Sequence, residues 1–140
     1  MGTVTESVGL VTKKWGMEEI FVNNSMYCGK HMTVMPGFAC SIHYHRYKVE
    51  TFVVLAGCLI LEIYEEVNPM LPKRRRKLWD RKPLLPGRPL TILTCTPHRF
   101  WAEHKPVQFL EFSSHDRLDD SIRITKAGPV PLNYSLGGQW

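Results

Sequence analysis

The sequence predicts an all-β fold in which two sheets pack face to face as a jelly-roll barrel. Short runs of β-branched, aromatic and aliphatic residues recur along the chain, and glycines and prolines separate them. No segment shows a sustained 3.6-residue periodicity, so no helix is indicated. Many short strands divided by turn signals are typical of β-sandwiches and barrels, which supports the jelly-roll prediction.

A single domain accounts for the length of the chain. With 140 residues, of which 44% are hydrophobic and 22% charged, the chain is long enough to bury one hydrophobic core. Residues 1–14 carry little periodic pattern, which predicts a flexible arm, and residues 128–140 are rich in glycine and proline, which predicts a tail. The predicted domain therefore spans residues 15–127.

The first half of the domain contains five predicted strands. Turn signals at Asn23-Asn24-Ser25, Pro36-Gly37 and Ala56-Gly57 divide them. The strand after Pro36-Gly37 carries His43 and His45, and the run that follows it is β-branched and aromatic, as in a buried strand. The other predicted strands span residues 17–23, 27–35, 51–55 and 58–64.

A long surface excursion is predicted after the fifth strand. It runs from Asn68 to Pro86 and contains five adjacent cations, Lys73–Lys77, followed by Arg81 and Lys82, with a return towards the sheet near Trp79. Mutual repulsion keeps such a cluster solvated, and the alternatives are a contact with a polyanion or with a partner surface. Further strands are predicted at residues 90–94, 107–112 and 121–125.

Charge and cysteine content limit the partners and the compartment. The net charge of +5 comes mostly from the 73–77 cluster, and nucleic-acid binding is not indicated because no aromatic residues are interleaved at a stacking spacing. Four cysteines without a C-x-x-C spacing predict buried, reduced thiols. No apolar run reaches the roughly 20 residues of a membrane span. We therefore expect a cytoplasmic protein without a membrane partner.

Two histidines and a glutamate within one hairpin form a candidate metal site. His43 and His45 are two positions apart, so their side chains project from the same face of a strand. Glu50 follows after a short connection that brings it beside them. Neutral imidazole and carboxylate are ligands for zinc, iron, manganese, nickel or copper, and three ligands leave positions open for a fourth ligand and a substrate.

This hairpin resembles the first sequence motif of the cupin family, in which a glycine precedes a His-x-His pair, a glutamate and a second glycine at fixed spacing. All the fixed positions are matched, by Gly37, His43, His45, Glu50 and Gly57. The resemblance implies a cupin double-stranded β-helix, which agrees with the predicted jelly-roll barrel. It also implies that the two histidines and the glutamate bind a metal.

The second cupin motif is identified within residues 87–102. Gly87 and His98 match the family pattern, and Pro97-His98 lie in a run that resembles cupins related to sugar-phosphate isomerases. The resemblance implies that His98 is the fourth metal ligand; the alternative is an ordinary loop histidine. Leu93, Cys95 and Ala102 stand where the family has proline, glycine and asparagine. The turn that precedes His98 therefore departs from the family pattern.

Segments outside the metal motifs are similar to those of small cupins related to type II mannose-6-phosphate isomerases. These segments are Trp15-Gly16 and residues 27–30, 97–101 and 109–111. The His-x-His-x-x-Lys-x-Glu arrangement also resembles lyxose isomerase cupins. The resemblance implies a metal-dependent isomerase that interconverts an aldose and a ketose, free or phosphorylated, through an enediol. It further implies a divalent metal (zinc, manganese, iron or nickel), a carbohydrate substrate and a homodimer.

Three further residues are candidates for the substrate chemistry. Lys48 is expected to have a lowered pKa beside a metal cation and to act as a base, unless it is a solvated turn lysine. Glu111 is the other candidate acid or base, and strand parity leaves open whether it faces the barrel interior with Phe109 or the opposite side. Lys30 is expected to reach a sugar oxygen or a phosphate if it points inward, and is otherwise a surface residue.

Two other functions are compatible with the sequence. The departures in the second motif favour a non-catalytic cupin that binds a metal or a sugar, or an accessory protein. A site of two histidines and a carboxylate also suits a non-haem iron dioxygenase.

Overall fold

A computed structural model of the chain describes residues 2–68, 70 and 77–131. These residues form thirteen short strands. In chain order they are β1 (Gly9–Lys13), β2 (Gly16–Asn23), β3 (Cys28–Val34), β4 (Phe38–Ala39), β5 (His43–His45), β6 (Glu50–Ala56), β7 (Leu59–Tyr64), β8 (Leu78–Leu84), β9 (Leu90–Ile92), β10 (His98–Ala102), β11 (Val107–Ser113), β12 (Ser121–Arg123) and β13 (Gly128–Pro129).

The strands form two antiparallel sheets. The first sheet has the order β1-β2-β3-β11-β6-β9. In the second, β10 pairs with β7, β5 and β4, while β8 extends the sheet from β7, β12 from β5, and β13 from β4. Strands distant in sequence are thus neighbours, and the predicted all-β jelly-roll fold is confirmed. In the described part of the chain, no helix has the length and apolar character required to cross a membrane.

Four strands lie where the sequence indicated other structure. Gly9–Lys13 form β1 within the predicted flexible arm, and Gly128–Pro129 form β13 within the predicted tail. β8 lies within the predicted excursion and pairs with β7 from Leu59 to Tyr64, and its start at Leu78 agrees with the predicted return to the sheet near Trp79. β10, which begins at His98, lies where no strand was predicted. The cations at positions 73–76 and the tail from residue 132 lie outside the described residues.

Arg81 is tied to the second sheet and is not part of a solvated basic segment. Its guanidinium lies 2.7 Å from the carboxylate of Glu62, which is 1% exposed. Arg99 and the hydroxyl of Tyr64 donate hydrogen bonds to the same carboxylate. Because a buried carboxylate needs charged and hydrogen-bonding partners, Arg81 helps to hold β8 against β7.

The hydrophobic core lies between the two sheets. Phe52 and Phe109 of the first sheet contact Phe100 of the second, with ring centroids 5.9 and 5.3 Å from that ring. Trp15 packs edge-on against Phe100 at 5.1 Å. Such aromatic pairs contribute about 0.5–1.5 kcal/mol beyond the burial of their area. The ring of Phe52 also lies 6.2 Å from that of His98, so the aromatic core supports one side of the candidate metal site.

The four cysteines are free thiols. Cys28, Cys40 and Cys58 are buried, and Cys95 is partly exposed. Burial raises the pKa of Cys40 to about 12 and that of Cys58 to about 11, which keeps both in the unreactive thiol form. The prediction of reduced, buried thiols is confirmed for these three cysteines.

Replacing Gly16 with alanine should lower the free energy of unfolding by roughly 2–5 kcal/mol, measured by urea denaturation. The backbone of Gly16 has φ +152°, and a Cβ there would overlap the carbonyl oxygen of Thr33. Gly87→Ala is the matched control, since Gly87 has φ +80° with no atom within 4 Å of a Cβ. Equal losses in the two variants would show that backbone strain alone, without the overlap at Thr33, sets the cost.

Candidate metal centre

Three strands bring the predicted metal ligands to one place. β5 presents His43 and His45 from the same face, and Glu50 opens β6. His98 opens β10 and is the direct cross-strand partner of His43, so their side chains lie on the same side of the second sheet. The structure thus places His98 inside the barrel with the other three residues and not in a loop.

The donor atoms of these four side chains converge. One ligand atom from each lies within 4.8 Å of the ligand atoms of the other three. Nε2 of His98 is 2.7 Å and Nε2 of His45 is 3.8 Å from Oε1 of Glu50. The cluster is able to hold a metal ion, and its nitrogen and oxygen donors suit a divalent one.

Backbone carbonyls fix the orientation of all three imidazole rings. The Nδ1 atoms of His43, His45 and His98 lie 2.8, 3.3 and 2.9 Å from the carbonyl oxygens of residues 41, 120 and 96. A carbonyl oxygen can only accept a hydrogen bond, so each Nδ1 carries the proton and donates it. With that proton on Nδ1, Nε2 is the atom of each ring that can bind a metal.

Burial sets the protonation states that a metal requires. It lowers the pKa of His43 well below its usual range, together with the neighbouring His98 and His45. It also lowers the pKa of His45 to about 4. Burial alone would raise the pKa of Glu50, but His98, Lys48 and His45 outweigh it and lower that pKa well below the usual range. Near neutral pH, His43 and His45 are therefore neutral and Glu50 is an anion.

Two buried atoms at the centre of the cluster are not satisfied by the protein. Nε2 of His98 and Oε1 of Glu50 are inaccessible and have no hydrogen-bond partner, although they are 2.7 Å apart. Acceptor atoms left facing each other in a buried site are costly, and a shared cation removes that cost. The residues therefore fit the divalent metal that their chemistry implies.

Lys48 lies beside the candidate metal ligands in a cluster of carboxylates. Its ammonium is 3.3 Å from Glu50, 3.2 Å from Glu111 and 3.3 Å from Asp116. Burial would lower the pKa of Lys48, but these three carboxylates outweigh it and raise the pKa. In this environment Lys48 is a buried ammonium group that donates hydrogen bonds, and it is not a solvated turn lysine. The lowered pKa expected beside a bound metal cation stays a prediction.

Glu111 faces the interior of the barrel. Along β11 it alternates with neighbours that are partly or fully exposed, and like Phe109 it is buried, with 3% of its surface exposed. Burial and the neighbouring Glu50 together raise the pKa of Glu111 to about 7, although Lys48 and Lys30 act in the opposite direction. The strand face of Glu111, which the sequence left open, is thus settled, and a buried carboxyl group stands next to the candidate metal ligands.

Lys30 also points inward. It is 5% exposed on β3, opposite Glu111, and its ammonium lies 2.9 Å from Asp116 and 3.6 Å from Glu18. Burial would lower the pKa of Lys30, but Glu111 and Glu18 raise it. Lys30 and Lys48 are therefore two buried ammonium groups that share the carboxylate of Asp116.

An open cavity of about 760 Å³ gives access to these groups. Its walls include His43, His45, Glu50, Lys30, Lys48 and Glu111. This volume is within the range of small-molecule sites, which are about 300–1,000 Å³. The cavity can therefore admit a small molecule beside the candidate metal ligands, Lys30, Lys48 and Glu111.

Asp120, which was not predicted from the sequence, orders the turn that connects His45 to Glu50. Its carboxylate accepts hydrogen bonds from the backbone N–H groups of Arg46, Tyr47 and Lys48 at 2.8, 3.1 and 3.0 Å, and its backbone carbonyl accepts the proton of His45 Nδ1. Asp120 is 1% exposed. Asp116, which binds both buried lysines, was missed as well. Neither aspartate stands in a motif, so no local signal marks them.

Replacing Asp120 with alanine should lower the free energy of unfolding by about 2–4 kcal/mol, because backbone N–H groups lose a charged acceptor. Metal affinity should fall roughly 10–100-fold, as is usual when a group that orients a ligand is removed. Calorimetric metal titration and chemical denaturation measure the two effects. The matched control is Asp119→Ala, whose carboxylate is 73% exposed; an equal loss in the control would contradict the assigned role.

Comparisons with known proteins identify an enzyme with a similar sequence and solved structures with a similar fold. No protein-family model matches the chain. It is 33% identical over 116 residues to the D-lyxose/D-mannose isomerase of Thermosediminibacter oceani, a match that covers 74% of this chain and 64% of that enzyme. The chain thus spans less than two thirds of the length of this curated relative.

The solved structures that resemble the chain support its fold. An oxalate decarboxylase from Bacillus subtilis, described with Mn(II) centres, has a TM-score of 0.68 at 17% identity over 89% of this chain and 34% of its own. The capsular polysaccharide assembling protein CapF from Staphylococcus aureus has a TM-score of 0.66 at 13% identity over 85% of this chain and 32% of its own. At these identities the likeness concerns the fold alone.

Proposed function

We propose that this protein, a cupin by its fold and by the four side chains that converge within it, is a metal-dependent isomerase that interconverts an aldose and a ketose. One observation carries the proposal: the carboxyl group of Glu111 lies 3.2 Å from the ammonium of Lys48, inside the cavity and beside the metal ligands. Holding a metal or a sugar needs no such buried acid and base. The similarity to D-lyxose/D-mannose isomerase supports a sugar as the substrate.

Each group has a defined part in this reaction. A divalent ion held by His43, His45, Glu50 and His98 would supply a Lewis acid for the oxygens of the sugar. Glu111 takes the proton from the carbon next to the carbonyl, and the electron pair of that C–H bond becomes the double bond of an enediol. Glu111 then returns the proton to the former carbonyl carbon, so that the aldose becomes the ketose.

The two buried lysines assist as donors. The ammonium of Lys48 stays charged between Glu50 and Glu111 and is placed to donate to a sugar oxygen while one proton passes between the two neighbouring oxygens. Lys30 lines the same cavity and is the second donor. Donors fixed in advance in a site of low dielectric stabilise developing negative charge more than water does.

Other features predicted from the sequence stay predictions. These are the identity of the metal among zinc, manganese, iron and nickel, the homodimer and the cytoplasmic location. The non-catalytic binding protein and the iron dioxygenase are the competing functions, and the assay of the proposed reaction separates them.

Incubating the metal-loaded protein with D-lyxose, D-mannose and their phosphate esters in deuterium oxide tests the proposal. We expect deuterium to appear on the carbon next to the carbonyl, detected by NMR, together with the ketose. If no sugar exchanges a proton although metal and sugar both bind, the isomerase proposal fails and the protein is a binding module. Consumption of dioxygen by the iron-loaded protein without exchange would instead indicate the dioxygenase.

A further inference from the structure

Charge is distributed unevenly over the cavity that leads to the metal ligands. In its deep part, the ammonium groups of Lys30 and Lys48 are paired with carboxylates at 2.9–3.6 Å. The cavity is also lined by three exposed cations that have no charged partner among the described residues: Lys14, Arg123 and Lys126. The deep part is thus neutralised internally, whereas the exposed part carries an uncompensated positive charge.

The position of Arg123 follows from the strand register. β12 is antiparallel to β5, with Arg123 opposite His43 and Ser121 opposite His45. Residues directly opposite each other in such a pair have Cβ atoms about 4.5–5.5 Å apart on one face of the sheet. The side chain of Arg123 therefore starts beside a metal ligand, on the cavity side, and its guanidinium is exposed.

Other cations that line the cavity are already paired. The ammonium of Lys13 lies 3.8 Å from Glu18. The guanidinium of Arg117 lies 3.3 Å from Asp119 and 4.5 Å from the ring centroid of Tyr47. These contacts account for the charge of both residues and set Lys14, Arg123 and Lys126 apart as groups available to a ligand.

From this arrangement we infer that Arg123, with Lys126 and Lys14, forms an anion-binding subsite that takes the phosphate group of a phosphorylated sugar. This inference rests on the proposed function, which leaves open whether the sugar is phosphorylated. The carbonyl end of the sugar faces the metal ligands, and the phosphate lies against the exposed cations. Guanidinium groups bind phosphate oxygens through two parallel hydrogen bonds, and a cavity lined with one sign of charge concentrates ligands of the other sign.

Binding of D-mannose and of D-mannose 6-phosphate to the metal-loaded protein, measured by titration calorimetry, tests this subsite without requiring turnover. We expect the phosphate ester to bind roughly 10–100-fold more tightly than the neutral sugar, because charge-assisted hydrogen bonds are added. In Arg123→Gln the ratio of the two affinities should fall by at least tenfold. Arg123→Lys should retain part of this affinity ratio, because lysine keeps the positive charge but cannot form the two parallel hydrogen bonds of a guanidinium group.

Controls separate the subsite from general electrostatics and from the proposed reaction. Lys105→Gln removes an exposed cation that does not line the cavity and should leave the affinity ratio unchanged. Metal content and the circular dichroism of Arg123→Gln should match those of the unaltered protein. The inference would be overturned if the two sugars bound with equal affinity. It would also be overturned if the affinity ratio stayed unchanged in both Arg123→Gln and Lys126→Gln. Proton exchange with neutral sugars would then still support the isomerase, whereas a preference for phosphate without exchange would retain the subsite and reject the isomerase.

Discussion

Glu111→Gln is expected to slow proton exchange between a sugar substrate and solvent by about 10²–10⁴-fold, the usual contribution of a positioned acid or base. Glutamine has nearly the size of glutamate and can accept the hydrogen bond from Lys48, which lies 3.2 Å away, but it cannot carry the transferred proton. The exchange rate follows from deuterium incorporation measured by NMR. Metal content should stay the same, because Glu111 is not one of the four converging ligands.

The comparison with Glu66→Gln isolates this effect. Glu66 is exposed and does not line the cavity, so that variant should exchange protons at the full rate. A Glu111→Gln protein that keeps both its metal and the full rate would show that Glu111 is not the base. Lys48→Met serves as the second test. This variant should have a lower free energy of unfolding and a lower proton-exchange rate, since the substitution leaves Glu50 and Glu111 without their shared cation.

The part of the site that could be predicted lies within one hairpin. Alternation along a strand places His43 and His45 on one face whatever the rest of the fold does, and Glu50 is near them because the chain between them is short. The position of His98 could not be predicted from local spacing, since it lies on another strand. Its role was implied by a family motif. The structure brings all four together because β10 pairs with β5.

Pairing partners far apart in sequence explain what the sequence did not predict for Lys48. Its expected lowered pKa assumed a metal cation as the main neighbour. Glu111 and Asp116, which raise the pKa instead, are 63 and 68 positions away in the chain. They reach Lys48 because β11 pairs with β6, and no local pattern contains that information.

The strands that were not predicted lack the local sequence pattern by which a strand is recognised. β1 lies at the edge of its sheet and is mostly exposed, so it lacks the alternation of apolar and polar residues by which a half-buried strand is recognised. β10 is mostly buried and therefore shows no alternation either. Cys95, at the family's glycine position before His98, adopts φ 59°. The turn thus keeps the conformation that glycine favours, at some backbone strain.

His98→Ala should weaken metal binding more than 100-fold, which exceeds the roughly 10–100-fold loss for a group that only orients a ligand. His98 contributes one of four converging donors, and its Nε2 lies 2.7 Å from Oε1 of Glu50 in a fully buried position. A metal ion at 100 times its dissociation constant stabilises a protein by about 2.7 kcal/mol. Zinc or manganese should therefore raise the melting temperature of the unaltered protein by several degrees and that of His98→Ala by almost nothing.

Elemental analysis and the same thermal measurement on His104→Ala provide the control. The imidazole of His104 is 58% exposed and lies outside the cluster, so its removal should change neither the metal content nor the thermal shift. Glu50→Gln should behave like His98→Ala, because it removes the anionic donor while keeping the volume of the side chain. If both ligand variants bind metal as tightly as the unaltered protein, the four residues do not form the metal site, and the Lewis acid of the proposed reaction has no place in this cavity.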